Sequence, residues 1–301
     1  MPLVIHAPRT HGSGRRALST AIRTALLLVM VYALAVLTPW GQEMENSLLK
    51  RDELAAVALQ PPPPAPDGSP AAPAPLGNRP PSEEFPTIVI LSSEHAALAG
   101  GLLLVVALVQ RRCRQALWGL VTLAGSAVMA LALKVALPRP ALDPTSHGLA
   151  TANSAPSGHV AMATALVIVA LVVCPASWRY AVGALGTTVA VLTAYFVQLA
   201  GWHRPSDIVL GAGVSLLCAL MASYLVPADG NPPEEGAGRR PSWIVAVSTL
   251  TACFSALGWA WGEQPAPGFL VVLCALAPCA AAVVFTLRRL SGAGAARPAH
   301  P

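Results

Sequence analysis

The chain has 301 residues and a formal net charge of +5, with 54% hydrophobic and only 11% charged residues, where an ordinary soluble domain carries roughly 25% charge. A soluble globular fold is excluded, and lipid is the solvent for most of the sequence. The apolar stretches are long and continuous and lack strand-like alternation, so the bilayer must be crossed by helices that satisfy their own backbone hydrogen bonds.

Apolar runs near the ~20 residues that cross a ~30 Å hydrocarbon core predict eight spans. They lie at about 18–40, 88–110, 115–137, 159–177, 180–201, 205–226, 242–262 and 268–287. A cytoplasmic N-terminus, 1–17, precedes them. A cleaved secretory signal is the competing reading of the first span, because Arg15, Arg16 and Arg23 precede an apolar run and Ala33-Leu34-Ala35 has small residues at cleavage spacing; the run to Trp40 is long for such a core. Residues 60–82, beginning Pro61-Pro62-Pro63-Pro64, form a Pro-rich outer loop with too little periodic apolar content to pack. A polar inner loop, 227–241, separates the six-helix core at 18–226 from two additional helices within 242–287, and a cytoplasmic tail, 288–301, ends the chain.

The cationic residues set the orientation. With the N-terminus inside, the cytoplasmic side holds thirteen: Arg9, Arg15, Arg16, Arg23, Arg111, Arg112, Arg114, Arg179, Arg239, Arg240, Arg288, Arg289 and Arg297. The outer side holds six: Lys50, Arg51, Arg79, Lys134, Arg139 and Arg204. Both termini are therefore expected in the cytoplasm. The arginines cluster between apolar runs and not along one polar face, which argues against nucleic acid as a partner. Cys113, Cys174, Cys218, Cys253, Cys274 and Cys279 lack metal-ligand spacing and read as small core residues.

Three polar clusters fall at outer helix ends. The first is Lys134 through Arg139-Pro140, where the third span leaves the bilayer; an intramembrane lysine suggests function, although one this near a helix end can also snorkel. The second is Asn153-Ser154-Ala155-Pro156-Ser157-Gly158-His159. Its small residues open the fourth span, where free N–H groups and the helix dipole favour an anion; the alternative is an ordinary N-cap at Ser157 with His159 as a bystander. The third is Gly201-Trp202-His203-Arg204-Pro205-Ser206-Asp207. A His and an Asp four positions apart are within reach of a hydrogen bond if the turn is helix-like, and a carboxylate on one ring nitrogen frees the other to attack; alternatively Ser206 and Asp207 are caps. Glu94-His95 can line the site or cap the second span, and nothing in the spacing of His147 demands a role.

The order and local sequence of these clusters resemble the type 2 phosphatidic acid phosphatase superfamily over about residues 18–226. Pro156-Ser157-Gly158-His159 matches its second motif, Arg139-Pro140 the end of the first, and His203 with Asp207 the end of the third. The resemblance implies an all-α, polytopic six-helix core and a reaction that needs no metal or other cofactor. It makes His203 the nucleophile of a phosphohistidine intermediate, Asp207 its orienting partner and His159 the general acid. Arg139, Ser157 and the Gly158 backbone N–H would hold the phosphoryl oxygens. Two positions depart from the pattern. Ala132 stands at the strict place of the first-motif lysine, leaving Lys134 as a substitute, and Phe196-Val197 stand where the third motif carries Ser-Arg, leaving Arg204 as a replacement charge.

The expected protein is thus an integral membrane phosphatase that acts on a lipid or isoprenoid phosphate or diphosphate at the extracytoplasmic face. The rival is a catalytically silent lipid-phosphate-binding or assembly protein of the same fold, favoured by the missing third-motif arginine. A transporter fits less well, since the charges gather at one surface and not along a midplane pathway.

Overall fold

The computed structural model describes residues 11–48, 93–140, 142, 153–199 and 202–226. The Pro-rich loop, the 227–241 loop, the seventh and eighth expected spans, the chain ends and His147 lie outside the described residues. Every regular element described is helical, as an all-α fold requires: α1 His11–Val36, α2 Pro39–Leu48, α3 Ser93–Val109, α4 Cys113–Ala136, α5 Gly158–Val173, α6 Arg179–Leu199 and α7 Pro205–Leu225, with a 3₁₀ turn at Ala176–Trp178. The segments Leu18–Val36, Cys113–Ala136, Arg179–Gln198 and Pro205–Leu225 are long and apolar enough to cross a membrane, and α3 and α5 are shorter apolar helices.

The helices sort by what surrounds them. Large apolar side chains face outward on α1, α3, α4 and α6, among them Leu26, Leu98, Val135 and Leu185, as helices bathed in lipid require. On α5 the residues Val160, Ala161, Ala163 to Val169, Leu171 and Val173 are all buried, the pattern of a helix that is hydrophobic all round and enclosed. It packs against α3, α4, α6 and α7, while α7 also touches α1 and α4.

One stripe of α7 fixes the α5 contact, since its members stand four residues apart and so share a face. The Asp207 carbonyl accepts the Ser157 N–H at 2.8 Å, and the Ser215 hydroxyl donates to the Ala161 carbonyl at 2.6 Å. Between them, a Cβ on Gly211 would lie 2.5 Å from the Ser157 carbonyl oxygen. Small residues and cross-helix hydrogen bonds bring apolar helices into such close contact in membranes. Gly211→Ala is therefore expected to cost about 1–3 kcal/mol by forcing the backbones apart, read as a lowered melting temperature in detergent; an unchanged melting temperature would show that the helices separate freely.

At the far end of α5 the basic turn Arg111-Arg112-Cys113-Arg114 joins α3 to α4. Arg111 adopts φ 57°, and Arg112 Nη1 reaches the Val173 carbonyl at 3.5 Å, a C-terminal carbonyl with no partner inside its helix. Cys113, Cys174 and Cys218 are free thiols.

The element absent from the expected spans is α2. The chain bends at Leu37-Thr38, the Gly41 N–H donates to Thr38 Oγ1 at 3.0 Å, and Pro39 sits in the first turn, where its missing N–H costs nothing. A Cβ on Gly41 would lie 2.1 Å from the Leu34 carbonyl oxygen, so glycine is what lets α2 fold back tightly on the end of α1.

Candidate active site

The three polar clusters meet at one end of the bundle, opposite the basic turn. Asp207 is at their centre. It sits in the first turn of α7, wholly buried, and its Oδ2 accepts the Arg204 N–H at 2.9 Å and the Ser154 hydroxyl. Its Oδ1 accepts Arg139 Nη1 at 3.0 Å. His203 Nδ1 stands 3.6 Å from Oδ2, an ionic contact longer than a hydrogen bond, and that nitrogen is buried without a hydrogen-bond partner.

Arg139 comes from the extended segment that leaves α4, and several donors and acceptors fix that segment. The Tyr32 hydroxyl donates to the Pro138 carbonyl. Gln42 Nε2 donates to the carbonyls of Pro140 at 2.7 Å and Val36 at 2.6 Å, and its Oε1 accepts the Leu142 N–H at 3.1 Å. The Asn153 amide donates to the carbonyls of Lys134 at 2.8 Å and Leu137, tying the first cluster to the second. The guanidinium itself is buried between two carboxylates, because Nη2 also meets Glu45 Oε2 at 2.8 Å.

Ser157 is the N-cap of α5, its oxygen accepting the Val160 N–H at 3.4 Å, and its side chain is fully buried. Gly158 begins the helix with no atom within 4 Å of the place a Cβ would take, so open space lies next to it. His159 follows, partly buried, with its ring centroid 6.2 Å from that of His203 and 5.8 Å from that of Trp202. Lys134 is half-buried and close enough for its charge to act on the His159 ring. Arg204 is buried and donates from Nε to Asn46 Oδ1 at 3.1 Å. Glu94 and His95 are exposed at the start of α3.

Phe196 and Val197 belong to the apolar cluster that includes Val160, Val191 and Ile208. The Val197 carbonyl accepts the N–H groups of Trp202 at 3.0 Å and His203 at 3.2 Å, and this shapes the turn that carries the histidine. No charge comes from these two positions.

Glu45, Gln42 and Asn46 received no role from sequence reasoning. They stand at i, i+3 and i+4 on α2, one helical face, and all three are buried. Glu45 Oε1 also accepts the Ser206 N–H at 2.7 Å. Burial pushes the Glu45 carboxyl above its ordinary range, the neighbouring Asp207 adds to the rise, and Arg139 and Ser206 oppose it. Ser154 lies in a cluster singled out from the sequence, yet only its contact with Asp207 gives it a part.

The arrangement places two imidazoles across a gap, one beside a carboxylate. A helix start with open space, a half-buried lysine and two buried guanidinium groups surround them. Such a set can bind an oxyanion and pass a proton to a leaving oxygen.

Residues 116–230 match the family described as PAP2 superfamily, a stretch that contains Lys134, Arg139, Ser157, His159, His203 and Asp207. No curated protein and no solved structure matches the chain. Through that matched segment the chain is similar to the PAP2 superfamily, which is in general one of phosphatases acting on phosphate esters.

Proposed function

We propose that this protein is an integral membrane phosphatase that hydrolyses a phosphate or diphosphate carried on a lipid or isoprenoid, through a phosphohistidine on His203. The observation that carries this reading is the His159–His203 pair, with ring centroids 6.2 Å apart. That gap suits one phosphoryl group attacked from one side and relieved of its leaving oxygen on the other. His203 Nε2 bonds to phosphorus while His159 protonates the departing alkoxide or phosphate oxygen. Water, activated by the now neutral His159, then attacks the phosphohistidine, releasing inorganic phosphate and restoring both rings. Asp207 lies on the Nδ1 side of His203 and stabilises the positive charge that the ring acquires.

A lipid carrier suits a site at a bundle end whose flanks are apolar, with the tail remaining among the outward-facing side chains of α1, α4 and α6. The basic turn at the opposite end supports an extracytoplasmic site, since arginine-rich turns favour the cytoplasm. A second reading, a catalytically silent lipid-phosphate-binding or assembly protein, is favoured by the engagement of Arg139 with two carboxylates and by the apolar packing of Phe196 and Val197.

Incubation with ³²P-labelled phosphatidic acid or prenyl diphosphate, with chelator present, separates the two. The phosphatase reading expects release of labelled phosphate and an acid-labile label on the protein after rapid quenching. No release across both substrate types would leave the binding reading in possession.

A further inference from the structure

We propose that the Glu45 carboxylate occupies a seat for a phosphoryl group, formed by the Arg139 guanidinium and the Ser206 amide at the start of α7, so that α2 latches the site shut until substrate displaces it. This rests on the phosphatase reading for the identity of the displacing group, a phosphate ester. Glu45 is held as an oxyanion would be. One carboxylate oxygen takes a charged donor, Arg139 Nη2 at 2.8 Å, and the other takes a helix N-terminal amide, Ser206 N at 2.7 Å. Pro205 has no N–H to offer, so the Ser206 amide is the first available donor of α7.

Two further donors stand buried at the same place without a hydrogen-bond partner, Arg139 Nε and the Ser206 hydroxyl. An anion with more acceptor oxygens than a carboxylate can use them. The balance of charge points the same way. With both Glu45 and Asp207 on Arg139, the guanidinium is over-compensated and repels a phosphate; with Glu45 removed, one carboxylate and one guanidinium remain beside Arg204. Asp207 accepts from Arg139, Ser154 and the Arg204 N–H, whereas Glu45 has Arg139 and the Ser206 N–H, which makes Glu45 the weaker-held of the two carboxylates.

The latch also has a built hinge. Glu45 reaches the seat only because α2 is folded back on α1, and that fold depends on Gly41, where a Cβ would lie 2.1 Å from the Leu34 carbonyl oxygen and 2.7 Å from Ala35 Cα. Both are backbone atoms that cannot step aside as a side chain would. Gly41→Ala should therefore move α2 outward and withdraw Glu45, with Gln42 and its hold on Pro140 and Leu142 moving too, while the Arg139 and Ser206 donors themselves are unchanged in chemistry.

The test measures binding of inorganic phosphate, and the KM for short-chain phosphatidic acid, with the full chain in detergent. Glu45→Gln is expected to bind inorganic phosphate about tenfold more tightly than wild type, the scale of one charge-assisted hydrogen bond no longer contested. Gly41→Ala should shift affinity in the same direction, and KM should fall in parallel. Unchanged or weakened phosphate affinity in a folded Glu45→Gln protein overturns the proposal, as does restoration of that affinity by Glu45→Asp, because Glu45 would then be a positioning residue for Arg139. Should Glu45→Gln not fold, Gly41→Ala decides on the same criterion. Tighter inorganic phosphate without a fall in KM overturns the assignment of the seat to substrate. Phosphate binding needs no turnover, so the two readings fail separately. Tighter binding with no ester hydrolysis keeps the seat and removes the phosphatase, whereas hydrolysis with unaltered affinity removes the seat alone.

Discussion

Arg139→Ala is expected to destabilise the protein by about 3–5 kcal/mol, the usual cost of breaking a buried ion pair from one side. The side chain joins α2, the exit of α4 and the first turn of α7, through Glu45 at 2.8 Å and Asp207 at 3.0 Å. Without it, two carboxylates remain at hydrogen-bond contact with one helix end and share no counter-charge. Arg139→Lys should recover only part of the loss, because an ammonium cannot offer two parallel donors to two acceptors at the guanidinium spacing. Denaturation in detergent measures the loss. The same substitution made on Glu45→Gln should cost less, since one of the stranded charges is gone, and strictly additive losses would show that the two residues do not act as a unit. The change also tests the two ways Arg139 can serve. If it only ties helices together, activity should follow folded fraction; if it also meets substrate, activity per folded molecule should fall.

Turnover is expected to drop to background in His203→Ala and by about 10²–10⁴ in His159→Ala, the range associated with a positioned proton donor. The two losses differ in kind. Without a nucleophile no covalent intermediate forms, so acid-labile label should vanish. Without the donor the leaving oxygen departs as an anion, so substrates with an acidic leaving group should be spared. His159→Ala is thus expected to lose little on an aryl phosphate and much on an alkyl phosphate. Equal loss on both would place His159 outside the proton transfer. Asp207 keeps Arg139, Ser154 and the Arg204 N–H when the 3.6 Å contact with the His203 ring is lost, so these variants should melt near wild type.

Much of this was legible in the sequence. A helix appears at each of the six core spans, four of them long and apolar enough to cross a membrane, and the first and the fourth were misjudged in extent, the fourth ending at Val173 and not near 177. The expected run to about residue 40 stops at Val36, and Pro39 opens a separate helix. The clusters were legible because each interrupts an apolar run, and a polar group in such a run needs a reason. The spacing of His203 and Asp207 suggested a hydrogen bond on a helix-like turn; the structure brings the two to 3.6 Å, an ionic contact longer than that bond.

The α2 face was harder to see. Gln42, Glu45 and Asn46 stand among polar neighbours such as Glu43, in a segment that reads as solvated loop. Period 3.6 was present but was indistinguishable from a surface helix without knowledge of what it packs against. Pro39 after Thr38 was the overlooked signal, a cap and a first-turn proline that together announce a helix. Ser157 shows the converse problem. The same hydroxyl satisfies an N-cap and a phosphate-binding motif, and in this structure it points to the Val160 N–H. Phe196 and Val197 were read as a missing charge, and the structure buries both beside Ile208 in an apolar cluster.

The sixteen residues of α5 rise only about 24 Å at 1.5 Å each, short of the ~30 Å hydrocarbon thickness. Exposed to lipid, such a helix would pinch the bilayer or tilt. Sheathed by four neighbours, it is spared that mismatch, because the helices packed around it and not the bilayer fix its depth.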